Sequence, residues 1–308
     1  MMRKSSAFLM LMLMLCTGVF AQQESQYTQY MYNTMMFNPG YAGSRDVGSF
    51  FGLYRTQWVG LEGAPKTATL SYHTPIRDKN VGLGVSLFHE SIGPQQDNTI
   101  LVDFSYTLNF ENSKLAFGLK GSAGFFQLDV NKLHLYDGLD YSFTGDNTIF
   151  RPNVGAGLFW YSDKHYLGFS VPNLLETEVY RRNERNREVS VLKNTQHYYL
   201  IGGYVFDLTK NTKFKPAVLS KVSYGAPFQL DVSANFMFNE KFVLGAAWRW
   251  SAAVSAMAGF QINDRWFIGY GYDFETTELS RYNSGSHEIF LRYELVKAHR
   301  KVISPRFF

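Results

Sequence analysis

The sequence predicts an all-β protein: a transmembrane, antiparallel outer-membrane β-barrel of about 14 strands. Three observations carry this: a two-residue apolar period over long stretches, connections that alternate between short turns and longer loops, and aromatic rings at strand ends. In "DRWFIGYGYDF", residues 264–274, Trp266, Ile268, Tyr270, Tyr272 and Phe274 take every second position, with Phe267, Gly269, Gly271 and Asp273 between them. Successive side chains of an extended chain point to opposite faces, so one face is an aromatic row and the other mostly small or polar. The same period runs through 99–110 and 228–238, where six apolar residues share one face. A typical soluble strand of about five or six residues is too short for such a row, whereas a tilted strand crossing a bilayer needs about 9–11.

In chain order, "MMRKSSAFLMLMLMLCTGVFAQQ" opens with Arg3 and Lys4, an apolar run from Ala7 to Leu15, and a Val-x-Ala site ending at Ala21. Residues 1–21 are therefore predicted to be a secretory signal peptide. Residues 22–47 are polar and aromatic without a clean period, and are expected to form a periplasmic N-terminal segment or a plug for the barrel, the chain's N-terminus being periplasmic. The barrel is predicted over 48–295, with strands at 48–59, 66–74, 80–90, 97–110, 113–127, 151–162, 164–171, 195–207, 212–223, 227–238, 240–251, 253–263, 264–275 and 284–295. Residues 296–308 are the C-terminal tail.

The connections test this division independently. Every second one is short: 75–80, 111–113, 162–164, 207–212, 238–241 and 262–265. The remaining ones include the long segments 128–150, 172–194 and 275–284. Short periplasmic turns and longer outer loops mark outer-membrane barrels, an alternation that a soluble sandwich or propeller does not demand. Phe110, Trp160, Phe238 and Trp266 are expected at the periplasmic rim, and Trp58, Trp250, Tyr272 and Phe274 at the outer rim. A barrel this wide has a lumen, either open, closed by inward side chains such as Gln229, Asp231, Asn235, Arg249 and Arg292, or occupied by another segment.

Composition narrows the function classes. The chain carries 30 basic and 26 acidic residues, and removing Arg3 and Lys4 leaves a net charge near +2. Such a balance points to neither nucleic acid nor a polybasic membrane tail. Cys16 is the only cysteine and lies in the signal peptide, so the mature chain is expected to have no disulfide, cysteine nucleophile or cysteine-held metal. No mature window offers about 18 uninterrupted apolar residues; the best, 242–262, is broken by Arg249, Ser251 and Gln261.

No catalytic, cofactor-binding or metal site emerges. His73, His89, His134, His165, His197, His287 and His299 lack metal-site spacing. "GSHE" at 285–288 places Ser, His and Glu in a row, but neighbours on a strand face opposite ways and cannot form a triad. The glycines of "GLGVS", 82–86, are read as permitting bending or close packing. The inner face reads as rich in Gly, Ser and Asn with few charges, which leans away from a strongly selective pore. The main polar feature is "EVYRRNERNREVS", 178–190, whose Arg181, Arg182, Arg185 and Arg187 are either a solvated, internally paired loop or a grip for an acidic partner.

Several blocks carry a resemblance: "YTQYMYNTMMFNPGYAG" (27–43), "GFSVPNLL" (168–175), "FKPAVLSKVSYGAPFQLDVSANF" (214–236), "LGAAWRW" (244–250), "GYGYDF" (269–274), "GSHEIFLRY" (285–293) and the terminal "SPRFF". From about residue 26 to its end the chain resembles the PorP/SprF family of type IX secretion system outer-membrane proteins. The resemblance implies an integral outer-membrane barrel of the Bacteroidota, with secretion machinery components and membrane lipid as partners. It also implies either a general component or the dedicated partner of one secreted adhesin, often of the gliding type, whose C-terminal sorting domain it would receive and retain at the surface. "SPRFF" and "KAHRK" resemble the adhesin-partner branch. The rival reading is a diffusion channel for small solutes; a barrel lipase and a soluble surface β protein are further alternatives.

Overall fold

The computed structural model describes residues 27–76, 79–129, 148–182 and 188–296, with backbone alone over 177–182 and 188–194. The signal peptide and C-terminal tail lie outside the described residues, as do Arg185 and Arg187. The described strands are β1 (Ser49–Thr56), β2 (Lys66–Ile76), β3 (Val81–Ile92), β4 (Gln95–Asn109), β5 (Lys114–Leu128), β6 (Thr148–Tyr161), β7 (His165–Val171), β8 (Thr177–Arg182), β9 (Glu188–Asn194), β10 (His197–Tyr204), β11 (Phe206–Thr209), β12 (Thr212–Ser223), β13 (Gln229–Phe238), β14 (Phe242–Arg249), β15 (Ala253–Gln261), β16 (Trp266–Glu275) and β17 (Ser286–Glu294). Consecutive strands pair antiparallel from β1 to β7 and from β11 to β17, β7 pairs with β10, β1 with β17, and β10 with β12 across the remaining gap, so the sheet closes. Since β10 and β11 follow one another along β12, the barrel has 14 strands, as the period predicts. Closure removes the open edges that the hydrocarbon core would leave without hydrogen bonds.

Where strands end differently from expectation, local chemistry explains it. The first strand stops at Thr56 because Gln57 donates to Pro65 O (2.9 Å) and Trp58 turns at φ 46°. The strand expected over 195–207 is broken at Val205: Tyr204 lies across from Pro216, which has no N–H to donate, and Val205 N bonds instead to Lys164 O. The predicted outer loop 172–194 contains a separate hairpin, β8 with β9, that pairs with no other strand among the described residues.

The two-residue period separates two surfaces. Leu70, Leu87, Val102, Leu119, Leu158, Leu200, Leu244 and Leu291 are exposed on the outer wall, where a bilayer would cover them. Phe110, Trp160, Phe238 and Trp266 are exposed at the short-turn end, and Trp250 and Phe274 at the long-loop end. Inward, Gly269, Gly271 and Asp273 are buried opposite the outward Trp266, Tyr270 and Phe274.

Residues 27–46 lie inside the barrel. Tyr30, Met31, Tyr32, Met35, Phe37 and Tyr41 form one buried cluster with inward rings such as Phe51, Phe159, Phe267 and Phe290. This segment contains one helical turn, α1 (Thr34–Phe37), and a 3₁₀ turn at Pro39–Tyr41. It fills the lumen from the region beneath the long loops, at Tyr27, to the short-turn end, where β1 begins.

Candidate functional site

The plug and the wall that holds it form the most elaborate polar construction among the described residues. Its seat is the run "FNPGYAG". Asn38 accepts from Gly40 N (2.9 Å) through Oδ1 and donates from Nδ2 to Leu158 O (2.8 Å), tying the turn to β6. The facing inward positions are glycines because plug backbone touches strand backbone. An added Cβ would lie 2.7 Å from Gly40 Cα at Gly118, and 2.7 Å from the Ala42 carbonyl carbon at Gly82, closer than real Cβ atoms pack. Ser105 Oγ and Ser170 Oγ donate to Ala42 O and Phe37 O (2.7 and 2.8 Å). Gly43 takes a φ of 75°, which favours glycine, and its N–H donates to His73 Nδ1 (3.1 Å).

Ion pairs fix the rest. Lys120 and Asp103 are fully buried and paired at 3.1 Å, and Lys120 Nζ also donates to Met35 O (3.0 Å) and Met36 O (3.2 Å), carbonyls of the turn α1. Beneath the long loops Arg55, 2% exposed, pairs with Asp273 (2.6 Å) and Glu288 (3.3 Å) and donates to Thr28 Oγ1 (2.6 Å). Glu288 in turn accepts from the backbone N–H groups of Thr28 and Gln29 (3.0 and 2.9 Å). Arg249 bridges Asp231 (2.7 Å) and Tyr27 O (3.0 Å). At the short-turn end Arg45 of the plug pairs with Glu294, next to Arg292. A charge withdrawn from water costs several kcal/mol unless it is paired and hydrogen-bonded, so each pair accepts the plug in one register and penalises others.

The inner face is thus richer in charge than its sequence suggests. The expectation of few charges fails because the charges are scattered over strands far apart in the chain and converge only when the sheet closes. Arg55, Asp103, Lys120 and Glu288 were not expected there; their inward parity among apolar outward neighbours is the signal that marks them, whereas Asp273 points inward as its place in the alternation predicts. Asp231, Asn235, Arg249 and Arg292 do point inward and are buried. "GSHE" splits as its strand parity requires: Ser286 Oγ accepts from Trp58 N (3.2 Å), His287 lies outside with Tyr270 Oη 2.6 Å from its Nδ1, and Glu288 points in to Arg55. No group of His, Cys, Asp and Glu among the described residues is arranged to hold a metal ion.

At the long-loop end, the segment after β7 folds over the lumen. Asn153 binds Leu175 twice, accepting from its N–H (2.9 Å) and donating to its carbonyl (2.8 Å), and Pro172 lies against Gly155. A cavity of about 200 Å³ remains below, between the plug ring Phe37 and the wall residues Phe88, Asp97, Arg151 and Tyr199. The chain then leaves as the β8–β9 hairpin, whose first strand ends with Arg181 and Arg182.

The fold is similar to that of solved outer-membrane channels. The "CymD monoaromatic hydrocarbon channel" matches at a TM-score of 0.50 with 10% identity, over 87% of this chain and 94% of that one. The "TodX deltaS2S3 mutant monoaromatic hydrocarbon channel" matches at 0.50 with 12% identity, over 91% and 97%. The Ralstonia pickettii toluene transporter TbuX matches at 0.49 with 8% identity, over 85% and 92%. At such identities the likeness is one of fold. Among curated proteins none matches the sequence. The profile of "Type IX secretion system membrane protein PorP/SprF" matches residues 19–293, which take in the plug and the barrel strands up to the penultimate residue of β17. The chain, an outer-membrane β-barrel with an occupied lumen, belongs to the PorP/SprF family of type IX secretion system membrane proteins.

Proposed function

We propose that this barrel is a docking platform at the cell surface, supporting the secretion and retention of a partner protein, a large gliding-type adhesin, by holding its C-terminal sorting domain. The observation that carries this reading is the filled lumen. Residues 27–46 occupy the space a solute would cross, seated on backbone and clamped by buried ion pairs, so the barrel offers a partner its long-loop face. The family supplies the secretion context and the machinery partners. Within that face the loop between β7 and β10 is the contact we favour, because it is long, carries a free-standing hairpin, and places Arg181, Arg182, Arg185 and Arg187 close together in sequence. Guanidinium groups recognise carboxylates through paired hydrogen bonds, which suits an acidic surface on the sorting domain.

Deleting the gene in its host and comparing surface and medium proteins by mass spectrometry tests the reading. Loss of one large adhesin from the surface, with other secreted proteins unchanged, supports a dedicated partner. Loss of all type IX cargo makes the barrel a general component, and unchanged secretion overturns the proposal. A diffusion channel is the second reading, favoured by the cavity of about 200 Å³ beside the plug. It requires the plug to move, and steady conductance of the wild-type barrel in planar bilayers is its signature.

A further inference from the structure

The outer wall carries a polar ledge where the apolar belt ends, below a loop that overhangs it. Strand register locates the ledge. Leu70, Leu87 and Ile100 are cross-strand neighbours on β2, β3 and β4 and belong to the exposed belt. One rung nearer the long-loop end stand Ala68, His89 and Asn98, and one rung further Lys66, Ser91 and Gln96. These positions share the outward parity of the belt, so the side chains change from leucine and isoleucine to lysine, histidine and amide within two rungs. That is the height at which the outer leaflet passes from acyl chain to headgroup.

The ledge has a roof. Residues 57–65 arch over Lys66, His89, Ser91 and Gln96, enclosing a cup of about 560 Å³. The roof is held at both sides: Gly93 N donates to Gly63 O (2.8 Å), while Val59 exchanges backbone bonds with Gly285 O (2.9 Å) and Ser284 N (2.7 Å). His89 Nδ1 lies 2.8 Å from Asn98 Oδ1, a contact that orients the ring beneath the roof. Glu62, in the roof, is the carboxylate among the residues that line the cup.

We propose that this cup binds the headgroup of a phosphorylated glycolipid of the outer leaflet. The acyl chains would lie along Leu70, Leu87 and Ile100, the phosphate would meet Lys66 and His89, and the amides and Ser91 would bond the sugar hydroxyls. Three features favour an outer-leaflet lipid over a soluble ligand: the cup is continuous with the lipid-facing belt, its donors point outward from the barrel, and its size suits a sugar. The Lys66 ammonium supplies donors to an anion where headgroups reduce the access of water, and His89, whose Nδ1 donates to Asn98, adds a donor through Nε2 as an imidazolium.

The full-length barrel, purified in detergent, can be titrated with diphosphorylated lipid A and observed intact by native mass spectrometry. One molecule retained, with affinity at least tenfold weaker in Lys66→Gln and in His89→Leu, is the expected result. Dephosphorylated lipid A is expected to bind weakly, and inorganic phosphate not to compete. Equal retention by wild type and both variants overturns the proposal, as does equal retention of phosphatidylglycerol, which would reduce the ledge to a general anionic-lipid surface. Competition by inorganic phosphate would assign the cup to a free anion and also overturn it. Both side chains are exposed, so the variants are expected to keep the heat-modifiable gel mobility of a folded barrel; a third variant, Gln96→Leu, tests the sugar contact without touching charge.

Discussion

Two glycines three residues apart on β5 separate the plug's seat from the lipid face. Gly118 points into the lumen, where an added Cβ would lie 2.7 Å from Gly40 Cα; Gly121 points out, and a Cβ there meets nothing within 4 Å. Gly118→Ala therefore forces backbone against backbone, and neither side can rotate away as a flexible side chain would. Overpacking of this kind costs about 1–3 kcal/mol. If the barrel strand, anchored by β4 and β6 on either side, holds its place, that cost falls on the seated plug. A shift of about 1–3 kcal/mol changes the ratio of unseated to seated plug by about 5- to 150-fold. Single-channel recording in planar bilayers reads this directly: the wild type is expected to be mostly silent, Gly118→Ala to open in bursts or steadily, and Gly121→Ala to behave as the wild type. Exposed substitutions of the latter type change stability by no more than about 0.5 kcal/mol. If Gly118→Ala and Gly121→Ala are indistinguishable in conductance and in the temperature at which gel mobility shifts, the close seat of "FNPGYAG" does not exist as described.

Removing residues 27–46 altogether is expected to give a permanently conducting barrel, measured by the same recordings; a silent deletion variant would mean that other groups close the lumen. Arg55→Ala leaves Asp273 and Glu288 buried without their shared cation, and should lower stability by about 3–5 kcal/mol in urea titrations followed by gel mobility. Arg55→Lys keeps a charge but loses the fork that reaches both carboxylates and Thr28, so it should fall between the two. Replacing Arg181, Arg182, Arg185 and Arg187 together by Gln is expected to reduce adhesin display on intact cells, scored by surface labelling, without changing the amount of barrel in the membrane. Unchanged display would remove that loop from the docking surface.

Much of this molecule was legible along the chain because a β-strand writes its environment every second residue. From Thr212 to Glu294 each predicted strand is found within about three residues, the hydrophobic set facing lipid and the small or polar set facing in. Short turns are legible for a related reason, since two strands joined by a few residues must be neighbours. Asn239 and Glu240, both at positive φ, make such a turn between β13 and β14. The fourteen-strand antiparallel barrel follows from these local facts alone. By contrast, the β8–β9 hairpin is hidden in a charged run with no apolar alternation, and the break at Val205 depends on a proline in the next strand.

What fills the barrel was decided by contacts no local pattern encodes. Residues 27–46 have no period because their side chains meet walls on all sides. Their partners are scattered: Asn38 binds Leu158, Thr28 binds Glu288, and Met35 binds Lys120. An inward glycine such as Gly118 or Gly82 reads in sequence as a bend or as empty space, and only the opposite backbone gives it meaning. Likewise an inward arginine is a pore charge or a clamp according to whether a carboxylate more than 200 residues away arrives beside it. The sequence by itself determined the closed wall, because alternation is a property of neighbouring residues. Tertiary structure decided the occupied lumen, because backbone approach and buried charge pairing exist only between segments that closure brings together.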